Sequence, residues 1–178
     1  LNYMAELEGV IKFIYQLTPW ENGAKISVPA DLMTTRAQLQ QRGWIGKDTK
    51  GVGYGNTSGL VKETNHLVIS SSQTSWLNPF DLTNWSAIDS WDTKAFSVSA
   101  RGVLPPSSEC LTHIAIYEAM LQAVAMGGSV LHIHNRSLWQ SAIGIYPTTD
   151  PKAEYGTPEM IVSVRQVCTG MLKVKSSG

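Results

Sequence analysis

The chain reads as one layered α/β domain, because stretches of helical apolar period interleave with strand-like stretches along its length. Three observations carry that reading. An amphipathic stretch opens the chain. Two strand-like runs flank a polar turn in its middle. A helix and then a short apolar strand follow each other directly between residues 107 and 134. At 178 residues the chain is long enough to bury a substantial core as a single domain.

Taken in order, Met4, Leu7, Val10, Ile11, Ile14 and Leu17 recur at helical spacing and predict a first helix, ended by Thr18-Pro19. Pro29-Ala30-Asp31 opens a second helix that runs to about Arg42, with Gly43 as its stop. A glycine-dense stretch, Gly51 to Gly59, follows; no Gly-Lys-Ser/Thr comes after it, so it is no phosphate loop of the nucleotide-binding kind. Residues Ser58 to Val61 and His66 to Ser70 predict a hairpin through Lys62-Glu63-Thr64-Asn65. The hydroxyl-rich run Ser70 to Thr74 comes next, then a turn or short helical piece at Pro79 to Leu82, and a strand over Ala95 to Ser99. Ser107 or Ser108 is a good N-cap, Glu109 suits the first turn, and apolar spacing carries that helix to about Met126. Gly127-Gly128 ends it, and Ser129 to His134 reads as a short buried strand. Pro158-Glu159 begins a last helix, expected to reach about Met171.

Composition narrows the function. With 14 basic and 14 acidic residues and no Lys/Arg stripe, a nucleic-acid partner is disfavoured. No apolar run is long enough to span a bilayer, so no membrane partner is expected, and the first residues lack the order of a secretory signal. Cys110 and Cys168 read as two reduced thiols of a cytoplasmic protein. A nucleophilic role for Cys110 is disfavoured because the neighbouring Glu109 works against a thiolate.

The chemistry-bearing residues fall in two clusters. On a strand, His132 and His134 project to one side, and two imidazoles so placed can share a divalent metal. Ser107, Ser108 and the free N–H groups of a helix start suit an anion, with Asn56, Ser71 and Ser72 able to close its other side. Glu109 at that helix start could move a proton beside the metal. Its pKa is expected to be tuned upward by partial burial. His113, one turn on, is expected to hydrogen-bond within the helix layer.

Four blocks in order resemble the class II aldolase/adducin N-terminal family: Gly55-Asn56-Thr57-Ser58; Leu67 to Ser72; Ser107-Ser108-Glu109 with His113 and Tyr117; and His132-Ile133-His134 with Tyr155-Gly156-Thr157-Pro158-Glu159. They span most of the chain from about Gly53 to Val167, and it is their ordered set that is specific. The resemblance implies a three-layer αβα fold with a central, largely antiparallel sheet. It implies a lyase of aldolase type that uses a divalent metal ion, zinc foremost, and acts on a small hydroxy-carbonyl substrate, a sugar phosphate, through a metal-stabilised enediolate. It assigns Asn56, Ser72, Ser107 and Ser108 to the phosphate, Glu109 to acid/base work, and His132 and His134 to two of three metal positions. It also implies a homo-oligomer, commonly a tetramer. Epimerases, dehydratases and non-catalytic adducin-like interaction modules share the pattern. This chain departs from it in three ways. Gln73 stands where the aldolases often carry glycine, the segment from His134 to Tyr155 is short, and no histidine follows His134. The chain is therefore expected to stop just before the third ligand.

Overall fold

Six strands form the main sheet in a computed structural model that describes residues 10–20, 26–61, 66–120 and 128–176, with side chains to residue 172. They are β1 (Ile14–Thr18), β4 (Asn56–Val61), β5 (His66–Ser70), β6 (Trp85–Asp92), β7 (Ser97–Gly102) and β8 (Ser129–His132). Their order is β1-β7-β6-β5-β4-β8; β1 runs parallel to β7, and every other pair is antiparallel. A separate two-stranded ribbon joins β2 (Gly46–Lys47) to β3 (Gly53–Tyr54). The described helices are α1 (Ala30–Gln41), α2 (Cys110–Ala119), α3 (Arg136–Ala142) and α4 (Pro158–Ser176). The fold is thus mixed α/β around a mostly antiparallel sheet. Among the described residues no helix is long and apolar enough to cross a membrane.

Alternation along the central strands builds two apolar clusters. Leu67 and Ile69 of β5 and Ile88 of β6 pack with Leu111, Ile114 and Ala115 of α2 and with Ile161 and Val164 of α4. Val68 and Ala87, one residue out of phase, pack with Val61, Trp85 and Leu32 of α1. Burying side chains such as these contributes roughly 1.5–3 kcal/mol each. Gly59 lets α1 approach β4, since a Cβ there would lie 3.0 Å from Leu32.

The second helix and its glycine stop form as expected: α1 closes at Arg42, and Gly43 takes a φ of +66°. The hairpin of β4 and β5 also forms, and β4 begins two residues earlier, at Asn56; the turn 62–65 lies outside the described residues. The expected first helix is corrected. Ile14–Thr18 is an edge strand paired with β7, and Phe13 beside it is buried. Its β-branched and aromatic residues suit a ladder, and pairing overrides the helical spacing. The rest of that prediction, residues 4–9, lies outside the described residues.

Further differences follow from local chemistry. Asp81 caps a short 3-10 turn, Leu82–Asn84, by accepting from Thr83 N, and the chain then enters β6, a strand not anticipated. The strand expected over residues 95–99 starts at Ser97, because Phe96 sits at φ +55° in a turn fixed by Asp92. Glu109 precedes the first turn of α2, which begins at Cys110. That helix closes at Ala119, and its expected continuation over residues 121–126 lies outside the described residues. The His132 strand is a half-exposed edge rather than a buried core strand, and it ends at His132. Helix α3 was not anticipated; Asn135 caps it by accepting from Leu138 N at 2.9 Å. Helix α4 runs past Met171 to Ser176.

Candidate functional site

Strand register places the first pair of residues. Asn56 of β4 lies directly opposite His132 of β8, so their side chains share a face. Ser58, two residues along, faces the same way and meets α2. Its Oγ lies 2.7 Å from His113 Nδ1 and 3.0 Å from Tyr117 Oη, and Tyr117 Oη accepts from Val130 N at 3.2 Å. This buried network locks α2 against β4 and β8. Glu109, just before α2, is thereby brought over the Asn56–His132 pair. Asn56 Nδ2 donates to Glu109 Oε2 at 2.7 Å and lies 3.3 Å from His132 Nδ1. Glu109 Oε2 also contacts His132 Nδ1.

A second set of bonds brings the hydroxyl run to the same place. Ser107 N donates to Ser70 O at 3.2 Å, and Ser72 N to Pro105 O at 2.9 Å. The run therefore lies beside the segment that leads into α2. Ser72, Ser107, Ser108, Glu109, Asn56, His132 and His134 all border one cleft of about 260 Å³. That volume suits a small metabolite better than a polymer. The His132 and His134 ring centroids are 5.0 Å apart, and Tyr54 lies 5.1 Å from His134 on its other side. His134 N donates to Trp44 O at 2.7 Å, which anchors the end of β8 to the residues after α1.

Charges in the cleft differ from expectation at one point. Burial favours the neutral form of Glu109, but its contacts with His132 and Asn56 outweigh it and hold the carboxyl down to about 2. Glu109 is an ionised carboxylate near neutral pH, and the expected upward tuning is corrected. Against that carboxylate His132 donates through Nδ1, so Nε2 is the ring nitrogen left for another partner. His113 is fully buried, and burial lowers its pKa to about 4. The expected bond within the helix layer is corrected: His113 Nδ1 reaches across to Ser58 Oγ of β4, because that hydroxyl lies under the buried face of α2. Burial pushes the Cys110 thiol up, so Cys110 is an inert core residue.

Several cleft residues carry no clear signal in sequence. Gln73 has a φ of +57°, the left-handed region that favours glycine, and its Oε1 accepts from Gly53 N at 2.8 Å. A residue other than glycine therefore holds a strained turn at the cleft wall and spans to β3. Ser75 Oγ donates to Gly55 O at 2.6 Å, and Tyr155 lines the cleft under the Lys12 ammonium. Only the glycine-dense stretch and the Tyr155-Gly156-Thr157 block hinted at these positions.

The donor set suits a divalent ion in part. His132 and His134 both line the cleft, the Glu109 contact engages His132 through Nδ1 and not Nε2, and Asn56 Oδ1 is buried without a hydrogen-bond partner beside them. Among the described residues no group of three His, Cys, Asp or Glu side chains forms a ligating cluster. Comparison with protein-family models, with curated proteins and with solved structures finds no match, so the cleft is read from its own geometry.

Proposed function

We propose that this chain is the core of a divalent-metal-dependent lyase of aldolase type, acting on a small phosphorylated hydroxy-carbonyl compound. One observation carries the reading: a carboxylate, an amide and an imidazole meet by hydrogen bonds to the carboxylate in a small cleft that serine residues also line. In this reading the sheet, with α1 on one face and α2 and α4 on the other, is the three-layer αβα arrangement of the class II aldolase/adducin family.

His132 and His134 would hold the metal ion, zinc foremost, with a third donor from elsewhere completing the set. Bound there, such an ion supplies Lewis acidity toward a substrate carbonyl. Glu109, already ionised, takes a proton from the substrate hydroxyl or carbon and returns it in the reverse direction. Asn56 donates to the Glu109 carboxylate and so fixes it beside His132. Since its amide donor is engaged there, the anion falls mainly to Ser72, Ser107 and Ser108. Epimerisation and dehydration use the same groups, so the substrate decides among them.

Replacing Glu109 tests the reading. Glu109→Gln keeps the shape and the Asn56 contact but removes the base. Retro-aldol turnover of phosphorylated ketoses, assayed with added zinc, manganese or cobalt, should fall by about 10²–10⁴-fold with metal and phosphate binding retained. Turnover unaffected by the change would exclude Glu109 as the base. The adducin-like interaction module is the second reading, and the exposed Leu138, Trp139, Ile143, Ile145 and Tyr146 on and after α3 favour it. It predicts no turnover and no metal in any variant.

A further inference from the structure

Arg36 lies on the buried stripe of α1, between Leu32 and Leu39, and is 0% exposed. Among the described residues it forms no ion pair with a carboxylate. Its guanidinium donates to Thr74 O, to Thr74 Oγ1 at 3.0 Å and to Asn84 O at 3.3 Å, and lies 4.9 Å from the Trp85 ring centroid. Arg36 Nε is buried and has no partner. Burial lowers its pKa to about 10, so it remains a cation at neutral pH.

A lone buried charge is costly, and carbonyls and an aromatic face offset that only partly. A methionine or leucine would fill the same stripe without the desolvation, so packing alone does not account for an arginine here. What the guanidinium holds is the Thr74 peptide. Residues Gln73 and Ser75 on either side of Thr74 line the cleft, as does Ser72. In a trans peptide the Ser75 N–H points opposite to the Thr74 carbonyl, hence away from Arg36. A charged donor on the carbonyl polarises that N–H. Thr74 N closes the turn over residues 72–73 onto Ser71 O, and the N–H groups of Gln73 and Ser75 on either side meet no acceptor among the described residues. Free N–H groups at such a turn suit an anion. A buried cation behind them is little screened by salt.

We propose that Arg36 is the buried countercharge and positioning residue for a phosphoryl group bound at the Ser72–Ser75 end of the cleft. The assignment rests on the reading of the cleft as a site for a phosphorylated substrate. It predicts that the anion is recognised from behind, through a polarised peptide, by a residue that never touches it.

The test is a titration of the full chain with inorganic phosphate. Calorimetry should show wild-type binding, about tenfold or more weaker binding in Arg36→Met, and recovery of most of the loss in Arg36→Lys, which restores the charge. Arg36→Met also changes the packing under α1, so a wild-type readout runs beside it. Saturating phosphate should shift the Arg36 Nε–H resonance in a nitrogen-resolved NMR spectrum and slow its exchange with solvent. A merely structural arginine predicts neither that shift nor the rescue by lysine. Wild-type phosphate binding with an unmoved Nε–H resonance, or with equal affinity in a folded Arg36→Met, overturns the Arg36 assignment and leaves the cleft reading standing. No phosphate binding by the wild type overturns both.

Discussion

Half-buried Glu109 and buried His113 lie one turn apart, and their neighbours move them differently. Burial alone would raise the carboxyl of Glu109; contact with His132 and Asn56 reverses that. Nothing comparable meets His113, whose Nε2 has no partner, so burial leaves it neutral down to about pH 4. The two therefore act in different pH windows. His113 binds a proton in the unfolded chain near 6.5 but in the folded chain only near 4. Its contribution is intact above 6.5 and is lost as pH falls from there to 4, an effect of about 3 kcal/mol. Glu109 acts lower, between the ordinary carboxyl value of 4.5 and about 2. Urea unfolding from pH 7 to 4 should show a falling midpoint in the wild type and a flatter one in His113→Gln; equal slopes would contradict the assignment. At this scale the sequence was partly legible. Glu109, His132 and His134 stood out by residue type and spacing. Arg36 did not, because a single arginine in a helix normally marks the solvent face. Nor did the ionised state of Glu109, which is set by a residue 23 positions away.

The element that organises the cleft is the β4–β8 pair. Its register puts Asn56 opposite His132, and Gly55 is what permits the approach. Gly55 has a φ of +73°, and a Cβ there would lie 2.9 Å from the His132 carbonyl oxygen and 2.5 Å from Ile45 Cγ2. Gly55→Ala should therefore cost about 2 kcal/mol or more and displace His132. A lower unfolding midpoint together with weaker metal retention is the expected result; a midpoint equal to wild type would show that the strand pair tolerates the methyl. The hairpin could be read from two strand-like runs around a polar turn, and α1 and the last helix from their start and stop signals. Other elements could not. The pattern over residues 10–17 fits a helix in isolation, and only the neighbouring β7 makes it a strand. The strand β6 is apolar in its first half and exposed in its second, so it shows no single period. Helix α3 buries none of its residues, and only its Asn135 cap marked it.

Over the whole molecule, five stretches far apart in sequence supply one cleft. Gly53 to Asn56 leads into β4, the hydroxyl run follows β5, the paired serines precede α2, the two histidines lie at and just past the end of β8, and Tyr155 leads toward α4. The α/β class and the central antiparallel hairpin followed from local pattern, but strand order did not, because pairing of β1 with β7 and of β8 with β4 joins segments that carry no mutual signal. In the proposed reading this convergence holds a divalent ion beside Glu109. Elemental mass spectrometry of the protein after equilibration with zinc and exhaustive dialysis tests it most directly. The account predicts about one ion retained per chain, and loss of it in His132→Ala/His134→Ala with folding preserved. No retained metal in the wild type, or equal retention in the double variant, would contradict it.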